Sequence, residues 1–177
     1  ALIQYKRTIE LDPYFPDAYH KVGFNFVHQK QYKQAIEPLK KAVKLNPKFT
    51  KAHYKLGNAY NQLNQYQKAI ESLTQVVRIN GLHAKGHLGL GLAHVKVKQY
   101  DQAITHLQKA LDLNPNFSEA YYPLGLSFIE TKRFGDAYIP LSKAKIYKPY
   151  YSSVQNQLGI VFWGVKKYTM SSESLKK

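Results

Sequence analysis

The chain has no cysteine, one methionine and one tryptophan, and its only arginines are Arg7, Arg78 and Arg133. Without cysteine there is no disulfide, no thiolate metal site and no cysteine nucleophile, and the redox compartment stays open. A long apolar run is missing too. A membrane-spanning helix takes about 18 or more apolar residues, and the longest uncharged stretch, Pro149 to Val165, is interrupted by Ser152, Ser153, Gln155, Asn156 and Gln157. No signal peptide is visible, and the chain opens on alanine without an initiator methionine, as a fragment of a longer protein would. The compartment is not legible; a soluble, cytoplasmic setting is only slightly favoured. Acidic residues are scarce, 11 against 26 Lys+Arg, giving a formal charge of +15. Such an excess points to nucleic acid, anionic membrane or acidic protein partners. The charge is not a tail, however: residues 1–83 hold 13 basic and 5 acidic side chains, and residues 84–177 hold 13 and 6. The near-absence of arginine argues against a surface of bidentate forks for phosphate or base edges.

What the sequence does have is enough apolar material, 44% of 177 residues, to bury a core. It also has a period. At a shift of 34 residues the chain aligns with itself without gaps, giving a glycine column at Gly23, Gly57, Gly91, Gly125 and Gly159. Val22, Leu56, Leu90, Leu124 and Leu158 precede those glycines, and Phe26, Tyr60, His94, Phe128 and Phe162 follow three residues later. An aromatic column (Tyr32, Tyr66, Tyr100, Phe134, Tyr168) leads into an alanine column, Ala35, Ala69, Ala103 and Ala137, with Ser171 last. Leu39, Leu73, Leu107, Leu141 and Leu175 then form a leucine column. Units close on Pro13, Pro47, Pro115 and Pro149, with Gly81 as the exception.

Each unit reads as two amphipathic helices around a short polar turn, with apolar residues three and four apart. The proline ends the second helix, because it disfavours helical geometry in the residue before it. A side chain in the glycine column would hold the two helices of a unit apart. One helix pair cannot bury its apolar face alone, so the pairs must stack. Pro38, Pro123 and Pro140 are expected near helix starts, where a missing N–H costs little.

These columns strongly resemble the tetratricopeptide repeat family over essentially the whole chain. The resemblance implies an all-α, right-handed superhelical solenoid of antiparallel helix pairs. The divisions would be a second helix of a truncated repeat (1–15), full repeats at 16–49, 50–83, 84–117 and 118–151, and a truncated repeat at 152–177. The family's leading tryptophan column reads Tyr19, His53, His87, Tyr121 and Gln155 here. Gly81, Gly86 and Gly89 add flexibility at about 1 kcal/mol per helical glycine, so residues 81–91 are a candidate hinge; close helix contact is the competing explanation.

Catalysis finds no support. His53, His87 and His94 read as core or half-buried aromatic slots, and no carboxylate joins His83 and His87 at metal-ligand spacing. The glycine cluster lacks the strand and the Lys-Ser/Thr pair of a phosphate loop. No metal or cofactor is expected.

By resemblance, the first helices line a concave face that binds extended peptides. Opposite the leucine–glycine seam, Lys21, Lys51, Lys55 and Lys85 form a basic ladder, with Phe24, Tyr54, Asn58 and Tyr122 beside it and Trp163 near the end. The family's chaperone-tail clamp positions read His20, Phe24, Lys55, Lys85 and Gly89, of which only Lys85 fits, and one repeat later only Asn58 fits. An asparagine ladder is absent as well. The expected function is therefore a non-enzymatic scaffold holding an extended, acidic peptide segment, with those lysines as charge contacts and the aromatics as pockets. Two other readings stand beside it. One is single-stranded nucleic-acid binding by lysines and stacking aromatics. The other is the repeat region of a larger enzyme or a membrane- or organelle-associated assembly, reached through partners. Self-association as a homo-oligomer is a further expectation, from Leu158, Ile160, Val161, Phe162, Trp163 and Val165 in an uncapped last repeat.

Overall fold

The computed structural model describes residues 2–147 and 152–174, with side chains described as far as residue 166. The described residues are helical and contain no strand. In chain order the helices are α1 (Leu2–Leu11), α2 (Pro16–His28), α3 (Tyr32–Leu45), α4 (Thr50–Gln62) and α5 (Tyr66–Ile79). They continue as α6 (Ala84–Lys96), α7 (Tyr100–Leu113), α8 (Ser118–Glu130), α9 (Phe134–Tyr147) and α10 (Ser152–Ser174). The chain divides into two compact units, Ala1–Ala93 and His94–Lys177. In the first unit α1 packs on α2, α2 on α3, α3 on α4 and α4 on α5; in the second α7 packs on α8, α8 on α9 and α9 on α10.

The second helix of each pair buries a stripe whose spacing explains the sequence columns. Ala35, Leu39 and Ala42 of α3 are buried, as are Ala69, Leu73 and Val76 of α5 and Ala137, Leu141 and Ala144 of α9. Small residues let the backbones approach, and each fully buried leucine adds roughly 2 kcal/mol of transfer free energy. At Gly23, Gly57 and Gly125 the column glycine is the socket for that leucine, whereas a Cβ on Gly159 would meet nothing within 4 Å. A Cβ built on Gly57 would lie 2.5 Å from Cγ of Leu73, and one built on Gly125 would lie 2.5 Å from Cγ of Leu141. With overlap of that size a side chain there would displace the leucine or hold the pair apart.

Two polar devices recur beside this packing. After the first helix of each pair the chain turns through a left-handed residue that is not glycine: Lys30 (φ 59°), Asn64 (58°), Lys98 (60°) and Lys132 (60°). At each turn two amides close the helix; the N–H of Gln31 reaches the Phe26 carbonyl at 2.8 Å and that of Lys30 the Val27 carbonyl at 3.0 Å. This is the 6→1 and 5→2 pairing of a Schellman ending, in which glycine is the favoured left-handed residue. A Cβ costs roughly 1 kcal/mol in that conformation. Lys30→Gly should therefore raise stability by about 1 kcal/mol, read as a higher urea midpoint with an unchanged slope. An unchanged or lower midpoint would show that the turn carries no strain.

The second device sits between repeats. Side-chain oxygens of Asp12, Asn46, Asn80 and Asn114 each accept from the backbone N–H two residues on, at 3.0–3.1 Å. The tryptophan-column side chains then tie the loop down: Nε2 of His53 lies 3.0 Å from the Pro47 carbonyl, Nε2 of His87 3.1 Å from that of Gly81, and the Tyr121 hydroxyl donates to Pro115 at 2.8 Å. His53, His87 and His94 are buried, as the aromatic-slot reading requires. Gly81 has no left-handed φ and shares the loop geometry of its proline counterparts.

The prolines depart from expectation. Pro38, Pro123 and Pro140 are not at helix starts but in the second turn of α3, α8 and α9, which run on through them. Each removes an internal amide donor there, so the expected placement at helix starts is corrected, although the helices continue unbroken through all three. The glycines at the candidate hinge have packing neighbours: a Cβ on Gly86 would lie 2.8 Å from Val76 and one on Gly89 3.0 Å from Leu73. Near the end, Leu158 and Val161 are buried, whereas Ile160, Phe162, Trp163 and Val165 are exposed. No described helix is long and apolar enough to cross a membrane.

Candidate functional site

Seven of the eight residues expected at the binding face lie in the first unit, on α2, α4 and the start of α6. Lys21, Lys51 and Lys85 are exposed, Lys55 is half-buried, and Tyr54 and Asn58 are half-buried beside it. Phe24 is 38% exposed, so its ring reaches the surface. The 34-residue spacing from Lys21 to Lys55 and from Lys51 to Lys85 puts these cations at the same place on successive first helices. Tyr122 belongs to the second unit. There it lines a separate cleft of about 240 Å³ with Glu119, Pro123, Tyr147 and Val154.

Lys55 is the centre of the first-unit cluster. Its Nζ lies 4.7 Å from the ring centroid of Phe24 on α2 and 5.9 Å from that of Tyr54 on its own helix. Such cation–π contacts hold an ammonium in place without neutralising it. Burial, and then the charge of Lys85, lowers the Lys55 pKa from the ordinary lysine value. Among the described residues the ion pairs are Lys40–Glu37 and Arg133–Asp136, and none involves the ladder. The cluster is thus a partly desolvated cation with aromatic walls and more cations around it, and among the described residues no carboxylate is ion-paired to it.

Three side chains that sequence reasoning did not single out for this face complete it. Phe49, just before α4, packs its ring 4.9 Å from that of His20 on α2. One repeat later His83, just before α6, sits 5.0 Å from Tyr54. The two contacts are the same contact displaced by 34 residues, and the column Phe15, Phe49, His83 and Phe117 would have pointed to it. His83 also accepts the Gly86 amide on Nδ1 at 2.9 Å, capping α6. His20 is buried, and among the described residues neither of its ring nitrogens has a partner.

The repeat pattern can now be set against known proteins. A family model described as TPR repeat matches residues 25–63, and one described as Tetratricopeptide repeat matches residues 50–81 and 84–117. No curated protein sequence matches the chain. Among solved structures it is similar to MamA at 27% identity, covering 86% of this chain and 89% of that one, with a TM-score of 0.76. YrrB, a TPR protein with an unusual peptide-binding site, superposes with a TM-score of 0.84 at 20% identity, over 94% of this chain and 86% of that one. A thermophilic TPR protein of Thermus thermophilus gives 0.60 at 21% identity, over 91% of this chain and 89% of that one. The last two likenesses carry the fold alone. Together, the matched models over 25–117, the 34-residue columns and the stacked helix pairs establish that the chain belongs to the tetratricopeptide repeat family.

Proposed function

We propose that this protein is a protein-interaction scaffold whose first-unit face holds an extended, acidic segment of a partner. Membership of the repeat family supports the coarse reading. The finer one rests on a single observation: Lys55 is a half-buried ammonium held by two aromatic rings and flanked by further lysines, with no carboxylate paired to it. A partner's Asp or Glu side chain supplies the missing anion, Lys21, Lys51 and Lys85 bind successive carboxylates, and Phe24 offers apolar contact at the edge. Each exposed pair contributes only about 0.2–1 kcal/mol, so charge sets sign and approach while apolar contact supplies the remaining affinity.

Nucleic acid fits less well. A base would need the ring faces of Phe24 and Tyr54, and the Lys55 ammonium stands over both.

The test is fluorescence anisotropy with a labelled glutamate-rich peptide and, in parallel, a labelled single-stranded oligonucleotide. The triple variant Lys51→Glu, Lys55→Glu, Lys85→Glu should lose about tenfold in peptide affinity, equivalent to about 1.4 kcal/mol. Added salt should weaken wild-type binding, since the outer lysines are exposed. Undiminished capture by the triple variant, or tighter binding of the oligonucleotide than of the peptide, would defeat the assignment.

A further inference from the structure

An unexplained feature of the first unit is His20. It is 6% exposed, and among the described residues neither Nδ1 nor Nε2 has a hydrogen-bond partner. A neutral imidazole carries one N–H donor and one acceptor, and buried polar groups are ordinarily paired. Packing does not account for the choice of residue. Tyr54 and Leu88 fill the same position in the next two repeats, so a ring or an aliphatic side chain suffices there. What distinguishes histidine is that it titrates near neutral pH.

Its surroundings are the ladder itself. Its ring is 4.9 Å from that of Phe49 and 6.3 Å from that of Phe24, the same Phe24 whose other contact is the Lys55 ammonium. The charges that bear on it come from two helices: Lys21 and Asp17 on α2, and Lys55 and Lys51 on α4. Three cations against one carboxylate disfavour a fourth positive charge.

We propose that His20 makes this face a proton-linked carboxylate site: when carboxylates of a partner segment settle on Lys21, Lys51 and Lys55, the buried imidazole takes up a proton. The inference rests on the acidic-segment reading above and adds its regulation. The sign follows from charge alone. In the free protein burial first, then Lys21, then the α4 lysines hold the His20 pKa below the ordinary histidine value, the carboxylate of Asp17 opposing them. Bound carboxylates offset the lysines and raise that pKa, so binding takes up a proton and affinity rises as pH falls. A tenfold rise in the imidazole's proton affinity on binding is worth tenfold in peptide affinity between high and low pH.

The probe is a labelled dodecapeptide of alternating glutamate and alanine, whose carboxylates stay ionised above about pH 5.5. At constant ionic strength, affinity should rise roughly three- to tenfold from about pH 8 to about pH 6. His20→Phe should flatten that dependence. Because His83 also faces Tyr54 and Lys85, the decisive measurement is the His20 imidazole resonance of the wild-type chain, whose titration midpoint should move up on saturation with peptide. A midpoint that does not move, or an undiminished slope in His20→Phe, overturns this inference while leaving the ladder intact. Failure of the peptide to bind at any pH overturns the ladder reading, and this one with it.

Discussion

Leu73→Ala should cost about 4 kcal/mol, toward the upper end of leucine truncations in protein cores. Leu73 has no exposed surface and forms a buried cluster with Val76 and Leu90. It serves two sockets where its counterparts in the pairs of α2 and α8 serve one: a Cβ on Gly57 of α4 would lie 2.5 Å from its Cγ, and a Cβ on Gly89 of α6 3.0 Å from its Cδ1. The loss is large because of what lines the space left behind. Where a cavity is walled by flexible side chains they relax into it; here two walls are glycine backbone, with nothing to move inward. The cavity therefore persists and the penalty stays near its full value. Gly57→Ala should cost about 1–3 kcal/mol by overpacking. Combined with Leu73→Ala it should cost less than the sum, because the truncated residue no longer meets the new methyl. Urea unfolding of the two single variants and the double gives the coupling. A Leu73→Ala loss below about 1 kcal/mol, or strict additivity, would remove the socket from the account of the fold.

The same socket shows why so much of the architecture was legible. A glycine and a leucine 16 residues apart, repeated every 34, encode helix, turn, return helix and close contact at once, and Gly23–Leu39, Gly57–Leu73 and Gly125–Leu141 make that contact. The lysines could be grouped for the same reason: a 34-residue period puts Lys21 and Lys55 at equivalent places on successive first helices. What escaped was tertiary. Nothing in the spacing of Phe24 and Lys55 says that the ammonium of one will sit 4.7 Å from the ring of the other. Nor does the spacing reveal that the nitrogens of His20 go unpaired. The left-handed column escaped because lysine at 30, 98 and 132 carries none of the usual glycine signal. Tyr122 was grouped with the ladder on period alone, yet it lies in the second unit, where its neighbours include the acidic Glu119.

Proline is where local preference and packing disagree most, and Pro38→Ala should stabilise the chain by about 2 kcal/mol. Pro38 lies in the middle of α3, which continues to Leu45. It offers no N–H to the Gln34 carbonyl, and its ring crowds that turn, a penalty of about 3 kcal/mol in a helix interior. Against this, alanine leaves the unfolded chain freer, an opposing term of about 0.4–1 kcal/mol. Pro38 is only half-buried, so truncating it opens little cavity. The repeats supply an internal control: Ser72 holds the same position in α5, is buried, and bonds the Lys68 carbonyl through Oγ at 3.0 Å. A non-proline residue therefore fits the site without rearrangement. Pro140→Ala should gain less, because Pro140 is itself buried and its ring contacts would be lost. The measurement is the urea midpoint of each variant, with the slope checked so that a change in the denatured state is not mistaken for a gain. A Pro38→Ala chain less stable than wild type would mean that the ring, through packing on its neighbours, outweighs the missing hydrogen bond.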